Sequence, residues 1–128
     1  MDPADFYRRY IAVCNAHRFT DLGAFVGEDV RVNDVPRGLD EYIAGLRAVV
    51  DAFPEYHWEP RQLVVDGDCL SVRLTGTGTH TGTFLGIPAT GRVITVRELA
   101  MYRIHDGKIA ECWGDLGSSV RDRLTWDD

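Results

Sequence analysis

Apolar residues recur at helical spacing through the first half of the chain and at every second position through most of the rest. Asp2 followed by Pro3 marks a helix start, an acid at the cap and proline at the first helical position. Phe6, Tyr10, Val13, Cys14 and His17 then fall on one face, which predicts a first helix to about His17 with Tyr10 on its buried side. Thr20-Asp21 can cap a short second helix through about Val26, ended by Gly27. From Val30 to Asp34, Val30, Val32 and Asp34 alternate with Arg31 and Asn33. Either this is a half-buried strand with an acid on its apolar face, or the strand has ended and Asp34 begins a turn before Pro36. Leu39 to Phe53 carries the stripe Tyr42, Ile43, Leu46, Val49, Val50 and Phe53, a third helix whose apolar side belongs to the core.

The period then changes to two. Tyr56 to Val65 predicts a strand, Asp66-Gly67-Asp68 a turn, and Leu70 to Gly78 a strand with Leu70, Val72 and Leu74 on one face. The loop Phe84 to Gly91 leads to a strand over Arg92 to Ile104. His105-Asp106-Gly107 closes a hairpin onto Lys108 to Trp113, because Asp-Gly accepts the positive φ of a tight turn. Gly76 and Gly78 alternate inside a strand and mark a bend, not a phosphate loop. The tail Ser118 to Asp128 is polar and is expected to fray. Three helices followed by a run of antiparallel strands predict an α+β fold, a curved antiparallel sheet forming a cone with the helices on one side. No repeat or linker divides residues 1–128, so a single domain is expected.

Composition narrows the partners. The chain has 128 residues, 45% hydrophobic and 27% charged, which suits a globular domain with a real core. The net charge of −6 and the single lysine, Lys108, argue against nucleic acid. Cys14, Cys69 and Cys112 lack CxxC spacing and read as reduced, buried thiols of a cytoplasmic protein. Met1 to Asp5 has no leader-like pattern, and no run approaches the ~20 apolar residues of a membrane span.

Candidate chemistry lies on the strands. His80 shares parity with Leu70, Val72 and Leu74, so it faces a cavity if the strand runs that far and is a turn histidine if it does not. Glu98 shares parity with Ala100, Tyr102 and Ile104; it either stands beside His80 in the cavity or faces solvent or a dimer partner. Trp113 is a core or cavity-wall aromatic. Asp115 either faces the same side as Trp113 or caps the strand end. No pair of histidines has metal-site spacing on one element, and neither a metal nor a cofactor is expected.

These local patterns resemble the nuclear transport factor 2-like superfamily, and within it the SnoaL-like polyketide (ester) cyclases. The resemblance rests on Phe53-Pro54-Glu55, Asp66-Gly67-Asp68, Gly78-Thr79-His80-Thr81-Gly82, Leu85-Gly86-Ile87-Pro88-Ala89-Thr90-Gly91 and Asp106-Gly107-Lys108-Ile109-Ala110-Glu111-Cys112-Trp113. The first third, Arg9-Tyr10-Ile11-Ala12 with Asn15-Ala16 and then Asn33-Asp34, is similar to the ketosteroid isomerases. That likeness places Tyr10 at their oxyanion-hole tyrosine and Asp34 at their general base. Their protonated aspartate falls near Ala100, so that donor is missing here. The cyclases' acid/base aspartate falls at Gly117, with Asp115 the nearest acid.

The resemblance implies a cofactor-independent cyclase or isomerase acting on a small, apolar, polyketide-like carbonyl compound. Asp34 or Asp115 would be its base and acid, Tyr10 its oxyanion donor and His80 a proton partner, with Trp113, Glu98, Ala100 and Tyr102 lining the substrate. The alternative is a non-catalytic ligand-binding or dimerisation module on the same cone. A homodimer through the open face of the sheet is expected in either case.

Overall fold

The computed structural model describes residues 2–125. Helix α1 spans Pro3–Asn15, and the Asp2 side chain caps it by accepting the Ala4 N–H at 3.1 Å. Its inward face buries Phe6, Tyr7, Tyr10, Ile11 and Cys14. The expected second helix is a 3₁₀ turn, Phe19–Ala24, and strand β1 (Val26–Val32) begins where that helix was to end. Gly27 lies inside the strand. The reason is tertiary: Val26 pairs in parallel with Ile109, whose N–H bonds the Phe25 carbonyl at 2.8 Å, and no local signal reports a partner 83 residues away.

After β1 the chain reverses through Asn33 and Asp34, both left-handed (φ 51° and 68°), into the two-residue strand β2, Val35–Pro36. Two consecutive positive φ values are the geometry of a tight two-residue hairpin. Helix α2 spans Leu39–Ala52. Strands β3 (His57–Asp66), β4 (Cys69–Thr79), β5 (Val93–His105) and β6 (Lys108–Trp113) follow, then helix α3 (Leu116–Thr125). The sheet order is β2-β1-β6-β5-β4-β3, antiparallel throughout except for the parallel pair β1–β6.

The register slips by one residue between Pro60 and Gln62 on edge strand β3. A bulge of this kind bends a sheet and raises its twist, and it gives Pro60, which has no N–H to donate, a tolerable place. The concave face carries Leu70, Val72 and Leu74 from β4 and Ile94, Val96, Ala100 and Tyr102 from β5. Gly76 continues that row because nothing larger fits: a Cβ there would lie 1.9 Å from the Tyr56 hydroxyl. The two strand glycines let the rings of Tyr56 and Phe53 lie directly on the sheet backbone.

The tail does not fray where it is described. Residues 116–125 form α3, with Val120 and Leu124 buried against the rest of the fold and the Asp115 side chain accepting the Ser118 N–H at 3.2 Å. Leu116, Val120 and Leu124 are spaced by four, a stripe one residue wide that polar neighbours conceal. The expectation for residues 126–128 lies outside the described residues. Among the described residues, no helix is long and apolar enough to cross a membrane.

Candidate active site

Between α1, α2 and the concave face of the sheet lies a cavity of about 350 Å³. Helix α1 contributes Tyr7, Tyr10, Ile11 and Cys14; α2 contributes Tyr42, Leu46 and Val49. Trp58, Leu74, Glu98, Ala100, Tyr102 and Cys112 stand on the strands, and Phe84 and Leu85 come from the loop between β4 and β5. Arg37 and Glu41, 3.5 Å apart and both exposed, stand at the solvent edge.

Glu98 is the one acid set into this wall away from the edge. Its cross-strand partner is Leu74, and it makes no hydrogen bond or ion pair with the described residues. Burial without a compensating charge disfavours the carboxylate and pushes its pKa up to about 7. The tyrosines are pushed the other way from use as anions. Burial raises Tyr7, Tyr10, Tyr42 and Tyr102 well above the ordinary phenol, so each is a neutral hydroxyl. Cys14 and Cys112 are likewise raised to about 12 by burial and are neutral thiols. The Tyr10 and Tyr42 hydroxyls bond each other at 2.5 Å. Among the described residues, no group of three His, Cys, Asp or Glu side chains gathers as a metal-ligand set.

The sequence profile of the family described as SnoaL-like polyketide cyclase matches residues 4–122. The chain belongs to that family. It is 28% identical over 126 residues to aklanonic acid methyl ester cyclase DnrD of Streptomyces peucetius, an alignment covering 91% of this chain and 87% of that one. A SnoaL-like polyketide cyclase from Agrobacterium tumefaciens superposes with a TM-score of 0.81 at 29% identity, covering 94% of this chain and 96% of its own. TsrD from Streptomyces laurentii superposes with a TM-score of 0.83 at 26% identity over 98% of both chains.

Within this SnoaL-like cavity the structure brings together Tyr10, Glu98, Ala100 and Tyr102 and leaves four other candidates outside. Asp34 is not on the apolar face of a strand; it is the exposed second residue of the β1–β2 turn. There its carboxylate accepts the Trp113 indole N–H at 3.1 Å, while Asn33 exchanges two hydrogen bonds with the Gly114 backbone at 2.7 and 3.0 Å. The pair Asp34–Trp113 therefore clips the hairpin to the end of β6 and does not line the cavity. Asp115 is exposed and caps α3, two residues short of the position the family resemblance assigned to an acid.

His80 is neither cavity-facing nor in an open turn. It is fully buried and stacks on Phe53 with ring centroids 5.1 Å apart. Its Nδ1 accepts the Thr90 N–H at 3.2 Å, which puts the ring proton on Nε2. Backbone bonds from His80 to Arg92 and Gly91 close the loop it starts. His80 continues the buried row of Val72, Leu74, Gly76 and Gly78, but Phe53 and Tyr56 cover that end of the sheet, so the histidine packs in the core beyond the cavity. Sequence reasoning took Tyr42 and Cys112 for core. Their signal was chemical: a phenol in an apolar stripe needs a polar partner, and Tyr10 supplies it.

Proposed function

We propose that this chain is a cofactor-independent acid/base enzyme of the cyclase or isomerase type, acting on a small, largely apolar carbonyl compound of the polyketide kind. The observation that carries this reading is Glu98, an unpaired carboxylate with a pKa near neutrality in a cavity walled, inside its Arg37–Glu41 edge, by apolar side chains, neutral hydroxyls and neutral thiols. The Glu98 carboxylate takes the proton from a carbon beside a carbonyl. The electron pair of that C–H bond moves into the enolate, whose oxygen is met by tyrosine hydroxyls. In a cyclisation the enolate carbon then bonds to a second carbonyl carbon, and the new alkoxide takes the proton from Glu98; in an isomerisation the proton returns at another carbon. The relatives named as methyl ester cyclases favour ring closure.

The second reading is a non-catalytic binding module, favoured by Ala100 and Gly117 standing where the resemblance expects acids. Hydrogen exchange separates the two. With 2-tetralone in D₂O, an enzyme will speed loss of the α-proton signals in NMR, saturating with ketone concentration. Quenching of tryptophan fluorescence by the ketone, through Trp58 in the cavity wall, without faster exchange would favour the module.

We further propose a homodimer through the convex face, where Val64 on β3 and Leu99 and Met101 on β5 stand exposed on either side of Ser71 and Arg73 of β4. Light scattering should give twice the 14.4 kDa chain mass; a mass of one chain contradicts the dimer.

A further inference from the structure

The proton transfer proposed above needs a donor at the developing oxyanion, and four tyrosines line the cavity: Tyr7, Tyr10, Tyr42 and Tyr102. They are not equivalent. The 2.5 Å contact between Tyr10 and Tyr42 commits one of that pair's two protons and holds both oxygens in place. The pair's second proton remains available, so the choice turns on which hydroxyls share Glu98's part of the cavity, and the Glu98 charge acts on those of Tyr7 and Tyr102. The Tyr7 hydroxyl has no well-formed hydrogen bond but is closed in by protein atoms, so a ligand oxygen cannot reach it directly. Tyr102 is left. Its hydroxyl is not among the closed-in atoms, and the protein group it interacts with is the Tyr7 hydroxyl behind it. Its ring packs against both Tyr7 and Tyr10, at centroid distances of 5.5 and 5.9 Å, in a triangle of rings that fixes its direction.

Tyr102 also stands where the reaction needs it. Glu98, Ala100 and Tyr102 occupy one face of β5, so the base and the phenol are four residues apart, a Cα separation of about 13 Å along a strand. Both side chains rise from the same face, and the Glu98 charge acts on the Tyr102 hydroxyl. Nothing bulky stands between them: Ala100 offers a methyl group, and beside it is Gly114, where even a Cβ would lie 3.4 Å from that methyl. Both glycine and alanine line the cavity. The result is a flat floor with an acid at one end and a phenol at the other.

We propose that Tyr102 is the oxyanion donor of this cavity, bracketing the reacting carbonyl with Glu98 across the Ala100–Gly114 floor, and that Tyr7 acts behind it as a positioning residue. This rests on the acid/base reading. It reassigns the role that family resemblance gave to Tyr10, whose hydroxyl instead braces α1 against α2.

The test compares Tyr102→Phe with Tyr10→Phe in the 2-tetralone exchange assay and in thermal unfolding. Tyr102→Phe should lower the exchange kcat by about 10²–10³ with little change in KM, as for loss of one oxyanion donor. It should move the unfolding midpoint less than Tyr10→Phe does, because the hydroxyl it removes interacts only loosely with Tyr7, whereas Tyr10 holds a 2.5 Å bond to Tyr42. Tyr10→Phe should lower the midpoint and cost kcat at least tenfold less. A larger kcat loss in Tyr10→Phe, or a Tyr102→Phe variant whose midpoint and ketone affinity fall together with kcat, overturns the proposal.

A binding measurement keeps the two proposals apart. Wild-type protein should prefer 2-naphthol to naphthalene, and Tyr102→Phe should lose that preference. If wild type shows the Tyr102-dependent preference without exchange, the enzyme reading fails and Tyr102 stands as the donor to the ligand oxygen. If wild type shows no preference, Tyr102 is not that donor.

Discussion

Replacing Glu98 by glutamine will stop proton transfer and leave the ligand bound. The carboxamide keeps the length, the volume and one carbonyl oxygen of the carboxylate, but it cannot accept a proton at neutral pH. The expected loss in kcat is about 10²–10⁴, the usual worth of a positioned general base, with the ketone dissociation constant changed by less than about threefold, since the neutral amide removes no contact made only by the charge. Wild-type kcat should rise with pH through a midpoint near 7 as the raised Glu98 carboxyl ionises, and the glutamine variant should show no such rise. A Glu98→Gln protein with wild-type exchange would remove Glu98 from the chemistry. The base would then have to be Glu41 at the solvent edge, or Asp34 or Asp115 after a rearrangement of the β1–β2 turn or of the α3 cap.

The fold was legible because its signals are local and repeated. The stripe of α2, the alternation of β4 to β6 and the Asp-Gly turn at Asp106-Gly107 all stand in the structure as the residues predict. The site was legible wherever parity ran unbroken from buried neighbours: Glu98, Ala100 and Tyr102 share one strand and one face, and all three reach the cavity. Parity failed where a strand ended in a turn: Asp34 follows Asn33 in a left-handed hairpin, where a single dihedral decides which way a side chain points. At His80 parity gave the buried face correctly, but Phe53 and Tyr56 fill the space above it, and alternation along one strand does not report what covers it. The same limit hid the parallel pairing of β1 with β6, which depends on a contact between distant halves of the chain.

A residue kept against its own electrostatic preference should cost stability, and Glu98 offers a way to measure that cost. Its carboxyl titrates near 7 in the folded protein against an ordinary value of 4.5. A raised carboxyl means that between these two values the folded chain holds a proton the unfolded chain has released, so stability falls as pH climbs from about 4.5 through 7. Below 4.5 both states are protonated and the penalty is absent. Above about pH 8 it is complete, at roughly 3 kcal/mol if the whole displacement is realised in the folding equilibrium.

Glu98→Gln should therefore match wild type in urea unfolding at pH 4.5 and exceed it at pH 8. The gain there should be about 1–3 kcal/mol, because the buried amide also lacks a partner and gives back part of the relief. The difference between the two proteins across pH isolates this one group from every other titration. Equal stability at pH 8 would mean that the carboxylate is solvated after all, and the argument for a base tuned by the cavity would lose its footing. If the gain appears together with the loss of exchange, one side chain carries both effects. The desolvation that makes Glu98 a usable base at neutral pH is the same term that weakens the fold there.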